Sequence, residues 1–590
     1  MLDSAVTSLS LRISETVIRL NDDFVIGGWY ILRDWSETNF DRNNILQQLH
    51  VRYGVSPFFK ISVEPNPNIP GHNTIRISPS GLGLPDKKYY YMDNYKEVQA
   101  AYKQYIRDVV IYLSTAANDA TKFGTDIFSY EQRIAEITPN TSSLLNPILT
   151  YNAISLSELK ETSLLPFYDI LQAMYPESNI TENTEIIVSS LDYLGQITQI
   201  ISSTDRKTLN GYLIWTLVRN YIPYLSNTYT SALDNFNAEL YGTKKPLERW
   251  EMCSGLVRKF MWLAVNNYME KANPVSEKTI KIANSTFDNI VNVVQDRIGK
   301  FEDTDLLYKH LKTKLSTLQL QLGVPSKARN ESFLNMYYLE LRIIRSNLFD
   351  SIKNGMNFQK RLEDKLLSNK SPEATIMSYI LLDVPKVTYS PSDHAILIPR
   401  SLLTEPFFET NYPSSIIYGR LGVEIAEAIS SSVLPYDSLW TADRKILSPF
   451  HMTVEESLWT VQSPMECLSD QISKGNLAIP GYMNNETSLK ALVHLWGLSI
   501  ANEALQVSLK EKEHVHQPSL ESYEDNALFF VSYAQTQCSE STFQHQLYEE
   551  ILNLELPQRG IVHLAWSQVS EFPASLECSV DKNAQCDDIF

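Results

Sequence analysis

Glu424 and Glu427 stand three residues apart in a stretch, Ser414 to Ser432, where Leu421, Ile425, Ala428 and Ile429 recur at helical spacing. At that spacing the two carboxylates share one helix face, and either is chemically able to touch a cation. A catalytic zinc asks for more, about three protein ligands, usually with imidazole among them. His494 lies in a later helical stretch and reads as an ordinary satisfied helix histidine. His514-Val-His516 sits in a polar, charged segment and reads as a solvent-exposed pair. The cysteines are Cys253, Cys467, Cys538, Cys578 and Cys586, with no C-x-x-C pair to indicate zinc or thiol redox chemistry. By count alone they fit an intracellular protein with structural thiols.

Those residues need a scaffold, and its helices dominate. From about Glu97 to Ser368 apolar residues recur at helical spacing, as in Tyr212-Leu-Ile-Trp-Thr-Leu-Val218 and Leu256-Val-Arg-Lys-Phe-Met-Trp-Leu-Ala-Val265. Both stripes are expected to face a core. Pro139-Asn140, Pro246 and Gly323-Val-Pro325 punctuate the helices. Phe58 to Glu64 alternates as a strand does, and Lys386 to Ser390 faces Ala395 to Pro399 across a Pro391-Ser-Asp393 turn, as in a hairpin or sheet edge. The expected class is therefore mainly α (α+β). Asn369-Lys-Ser-Pro372 marks the expected boundary between a helical lobe, residues 1–370, and a smaller lobe, residues 371–590.

Length and charge narrow the function classes. At 590 residues the chain exceeds one small core. A net charge of −18 and the lack of any Lys/Arg run exclude a phosphate-tracking surface, so nucleic acid is not an expected partner. No run of about 18 apolar residues is present, so no membrane span is expected. Met1 to Ile18 is amphipathic and lacks the build of a signal peptide. Sequons begin at Asn140, Asn179, Asn284, Asn330, Asn369 and Asn485 and permit secretion, although Asn369 precedes Lys-Ser-Pro, a poor acceptor context.

Several strings, in order, resemble the neprilysin and endothelin-converting-enzyme family of zinc metallopeptidases. They are Asp22-Asp-Phe24 with Gly27-Gly-Trp29, Ser80-Gly-Leu-Gly-Leu-Pro85 with Tyr89-Tyr90, and Tyr212-Leu-Ile-Trp215. Tyr241-Gly242, Trp250 with Cys253, Pro399 to Phe408 and Tyr418-Gly-x-Leu-Gly422 follow. Gly497 with Ile500-Ala501, Phe529-Phe530 with Ala534-Gln535, and Glu571-Phe572 extend the match to the C-terminus. The resemblance implies two multiply connected, largely helical lobes around a central cavity, the C-terminal one a thermolysin-like (gluzincin) lobe with a small sheet. It also implies an extracellular or cell-surface setting.

In that family two His on one helix and a Glu on a later helix hold zinc, and a Glu beside the first His takes a proton from the bound water. Carried over, the first His position is Glu427, the base Ala428, the second His Ser431 and the third ligand Leu498. The family's Asp that orients an imidazole falls on Asn502. The family's substrate-binding Asn-Ala falls on Lys386-Val387, its transition-state His on Glu555 and its substrate-binding Arg on Ile561. The zinc expected of the family is thus expected to be absent, and the chain is expected not to be an enzyme but to bind peptides or a protein partner. A working zinc endopeptidase acting on small peptides and a purely structural secreted protein are the alternatives. The resemblance also pairs Cys467 with Cys586, while the partner of Cys538 is replaced by Asn21, so Cys253, Cys538 and Cys578 are expected as buried free thiols.

Overall fold

The computed structural model describes residues 28–32, 35–243, 245–300, 306–345, 347–368, 384–447, 461–478, 485–511, 519–579 and 585–586. The Asp22 string, Gly27, Met1 to Ile18, Asn369 to Pro372 and the His514–His516 pair lie outside them. The alternation over 58–64 forms strand β1 (Phe59–Pro65), paired antiparallel with β2 (Asn73–Pro79) from Phe59↔Pro79 to Pro65↔Asn73. β3 (Asn152–Ser155) and β4 (Glu185–Val188) complete this sheet in the order β1-β2-β4-β3.

Helices α1 (Ala117–Ile137) and α2 (Arg206–Tyr221) share one hydrophobic core with it. α2 starts where the Asp205 side chain accepts from Thr208 N, and every residue from Leu209 to Val218 is buried. That matches the stripe read at 212–218. The Ser80–Pro85 string owes its glycines to packing. Gly81 has φ +100°, and a Cβ there would lie 2.1 Å from the Tyr212 hydroxyl; one on Gly83 would lie 1.7 Å from that of Tyr102. Gly83 N–H reaches the buried Glu131 carboxylate, which also accepts from the Tyr90 and Tyr102 hydroxyls (2.8 and 3.0 Å) and meets Arg219 at 3.3 Å.

The second stripe turns out otherwise. In the helix Arg249–Ala272 the backbone departs from helical geometry at Met261, and only Phe260, Leu263, Asn267 and Glu270 are buried. Phe260 joins the first core while Leu263 joins a small separate cluster with Val324, Ala328 and Leu334, so the stripe divides between two faces.

A second core combines α3 (Glu277–Gly299) with residues 387–572. Its sheet has the order β5-β7-β6: β5 (Gln319–Leu322) runs parallel to β7 (Ala395–Ile398), which pairs antiparallel with β6 (Thr388–Ser390). β6 and β7 are the hairpin read from sequence; β5 was not read there. The cores divide the chain differently from a single cut near residue 370. Residues 29–240 build most of the first core, Leu547 and Ile551 return to it, and α3 and β5 belong to the second. The lobes also meet where Ile446 N–H donates to Pro67 O at 2.8 Å and Leu439 packs on Ile148. The fold is mainly α, in two multiply connected lobes. Among the described residues no helix is long and apolar enough to cross a membrane.

Candidate functional site

The Tyr418–Gly422 string is a widened, π-type turn between Ser414–Ile417 and helix α4 (Val423–Val433). Its glycines again answer to packing: a Cβ on Gly419 would lie 2.4 Å from Phe529 O. α4 packs along helix α5 (Asn485–Glu511) so closely that a Cβ on Gly497 would lie 2.8 Å from Glu427 N. The expected facing of α4 and the Leu498 helix is therefore realised.

A cavity of about 520 Å³ opens beside this contact. Glu427, Ala428 and Ser431 from α4, Lys386 and Val387 ahead of β6, and Glu555 and Ile561 all line it. Leu498 and Asn502 do not. Leu498 is 0% exposed inside the second core, and Asn502 is buried with its side-chain oxygen unpartnered among the described residues. The lining also holds Lys490, which sequence reading missed, together with Glu424 and His494. Lys490 sits one turn before His494 on α5, so the helical spacing carried a usable signal for it.

His494, read as a satisfied helix histidine, has both ring nitrogens partnered and reaches across to α4. Its Nδ1 meets Glu427 Oε1 at 2.6 Å and its Nε2 meets the Tyr533 hydroxyl, on helix α6 (Asp525–Thr536), at 2.6 Å. Burial pushes the Glu427 carboxyl up, but the charge and hydrogen bond of His494, with Lys386, bring it below the ordinary range. Glu424 goes the other way: burial and then the Glu427 charge push it up to about 7, against Lys386 and the Val387 N–H donated to its Oε2. Burial opposes the charge of Lys386, yet Glu427, Glu555 and Glu424 hold its amine above the usual lysine value. The Lys490 amine is lowered, first by burial. Ser431 donates to Asp437 Oδ2 at 2.8 Å. Behind it the buried Lys314 donates to Asp437 O at 2.5 Å, and burial lowers its amine to about 7.

Family-wide sequence patterns described as peptidase family M13 match residues 17–325 and 387–587. The chain belongs to peptidase family M13. Among relatives, endothelin-converting enzyme 1 of Homo sapiens is 26% identical over 564 residues, covering 94% of this chain and 71% of that protein. Endothelin-converting enzyme-like 1 of Homo sapiens is 22% identical over 568 residues, covering 94% and 72%. The zinc metalloprotease Zmp1 of Mycobacterium tuberculosis in complex with inhibitor aligns with a TM-score of 0.84 at 19% identity, covering 100% of this chain and 88% of that one. PepO of Lactobacillus rhamnosis aligns at 0.76 and 13% identity, covering 96% and 86%. These likenesses confirm the two-lobe fold. The family match also overturns the expectation that the chain is not an enzyme: the family is one of peptidases, its pattern spans the cavity-bearing residues 387–587, and endothelin-converting enzyme 1 is named for its activity.

A zinc ion nevertheless does not fit the side chains at the carried-over positions. The Glu427 carboxylate is engaged by His494, Ala428 offers no donor atom and the Ser431 hydroxyl is turned to Asp437. Leu498 brings apolar surface, and the missing Cβ of Gly497 seats α5 directly on the Glu427 backbone.

The cysteines divide as the resemblance implies. Cys467 and Cys586 form a disulfide with Cα atoms 5.8 Å apart, and Cys253, Cys538 and Cys578 are free. The expectation of buried thiols fails: Cys538 and Cys578 are exposed and Cys253 half-buried. Cys538 follows the end of α6 and Cys578 the last short helix, both at the surface rather than in a core.

Proposed function

We propose that this M13 chain takes short peptides into the cavity beside α4 and α5, and does so without a resident zinc ion. The observation that carries the reading is the edge of β6. In the order β5-β7-β6 that strand pairs on one side only among the described residues, and residues 386–389 line the cavity. An open strand edge offers an extended peptide a row of backbone hydrogen bonds, with neighbouring side chains setting preference. The disulfide and the exposed Asn140, Asn179, Asn284, Asn330 and Asn485 support an extracellular or cell-surface setting.

A second reading, zinc-dependent cleavage of the bound peptide, is favoured by the family match over residues 387–587. One experiment addresses both. A random pentapeptide pool is incubated with the protein, with chelator or with added zinc, and retained and cleaved peptides are counted by mass spectrometry. Retention that is equal under both conditions is the expected result. No retention, or retention only with zinc, overturns the first reading; cleavage lost with chelator and restored by zinc establishes the second.

A further inference from the structure

Three half-exposed charges meet at the cavity wall. Glu555 Oε1 lies 3.1 Å from Lys386 Nζ and 3.8 Å from Lys490 Nζ, with side-chain exposures of 41%, 47% and 41%. One carboxylate oxygen thus faces both amines. The segment that presents it is anchored on either side, since Leu554 and Leu556 are buried and Leu554 holds a positive φ of 56°. The lysines come from different elements, Lys386 from the approach to β6 and Lys490 from α5, where its Nζ also donates to Asn553 O.

We propose that the cavity selects peptides by a carboxylate, which Lys386 and Lys490 take in the place that the protein's own Glu555 carboxylate holds. The proposal rests on the peptide-binding reading and names the ligand chemistry of that site.

The arrangement of the remaining charges favours an anion over a cation here. The carboxylates of Glu427 and Glu424 are already engaged, the first by His494 and the second by the Val387 N–H. The groups with solvent-facing surface are the two amines and Glu555. Two ammonium groups this close disfavour each other, and burial together with Lys386 lowers the Lys490 amine while Glu555 supports it. An anion between them is therefore favoured, and Glu555 supplies it when no ligand is bound. A half-exposed ion pair is weak, because water competes for both partners and two long side chains are held in one geometry. A ligand carboxylate can displace it while the rest of the peptide lies on the β6 edge, so the site is poised for exchange.

The test uses the 590-residue chain and two pentapeptide pools of the same composition, one with free C-termini and one amidated. Peptides retained on immobilised protein are counted by mass spectrometry, and dissociation constants are measured for the best of each. A carboxylate requirement appears as at least tenfold tighter binding of the free-acid pool if the C-terminus is recognised. It appears as enrichment of Asp or Glu at one position of the amidated pool if a side chain is recognised. Lys386→Met and Lys490→Met should each weaken the carboxylate peptides at least fivefold and leave carboxylate-free peptides within twofold. Glu555→Gln, which removes the internal competitor, should tighten the carboxylate peptides severalfold; near-ultraviolet circular dichroism confirms that each variant is folded. If free-acid and amidated peptides bind alike, with no acidic enrichment and no tightening by Glu555→Gln, the carboxylate inference fails while peptide binding stands. If neither pool is retained, the peptide-binding reading itself fails.

Discussion

Replacing His494 by Leu tests whether an internal ion pair ties α4 to α5. The pair spans 2.6 Å with side-chain exposures of 12% and 14%, so water screens it little. Removing one partner of a buried pair costs about 3–5 kcal/mol, because the remaining charge is left uncompensated. Lys386 stays near Glu427 and softens that loss, while the Tyr533 hydroxyl loses its partner, so His494→Leu is expected to cost about 3 kcal/mol. Glu427→Leu removes the buried carboxylate itself rather than leaving it unpaired, and about 1–2 kcal/mol is expected. The double variant replaces the pair by apolar side chains of similar bulk, which is often close to neutral. Set against the two single variants, a near-neutral double variant gives a coupling of about 4 kcal/mol.

Urea unfolding of the four proteins, followed by near-ultraviolet circular dichroism, measures it. Because the folded Glu427 carboxyl is held below its ordinary range, the contribution is present above that range and is lost as pH falls through the folded value. The coupling at pH 7 should accordingly shrink towards pH 3. Additive effects, within about 0.5 kcal/mol at pH 7, would refute the ion pair.

Burial lowers the Lys314 amine to about 7, well below the ordinary lysine value, so the unfolded chain binds more protons between the two and stability rises with pH there. The slope is at most about 1.4 kcal/mol per pH unit; urea midpoints at pH 7, 8 and 9 should show it in the native protein and not in Lys314→Met, and equal slopes would sink the assignment. Leu498→Glu places a carboxyl where the native side chain is 0% exposed and should cost about 3 kcal/mol or more, with no rescue by zinc in thermal unfolding. A shift below about 1 kcal/mol would show that the position is not core. Cys586→Ser opens a link between residues 119 apart, for which the chain-entropy model gives about 5 kcal/mol; unchanged unfolding of this variant would show that the bridge does not constrain the chain.

Much of the fold was legible because packing and backbone geometry dictate particular residue types. Gly81, Gly83, Gly419 and Gly497 each stand where a Cβ would collide with a neighbour, which is why the strings that contain them could be recognised. The 212–218 stripe was legible because α2 is buried on all sides. The 256–265 stripe misled because periodicity records apolarity and not how many cores a kinked helix serves. β5 went unread because its partner β7 lies more than seventy residues later, and a four-residue strand carries little local pattern. In the site, the positions on α4 were legible from their anchors, whereas the role of His494 was not. A pairing between Glu427 and His494 depends on how two helices meet, and one helix's spacing cannot report that.

The same contact explains how the cavity wall stays polar without the family's donor set. A buried carboxylate at position 427 needs a cation close by. In the family pattern the cation at this place is a metal held by side chains of both helices, whereas here it is built from the chain: an imidazole from α5 within 2.6 Å and the Lys386 ammonium beside β6. Two organic cations differ from one metal in where they leave charge. His494 turns its other nitrogen into the protein, towards Tyr533, and exposes little. Lys386 keeps 47% of its side chain exposed and, with Lys490, lines the cavity. A Lewis acid polarises a carbonyl, but ammonium groups bind whole anions best. At this wall the chain therefore presents two ammonium groups and a carboxylate of its own, Lys386, Lys490 and Glu555, beside the buried Glu427–His494 contact.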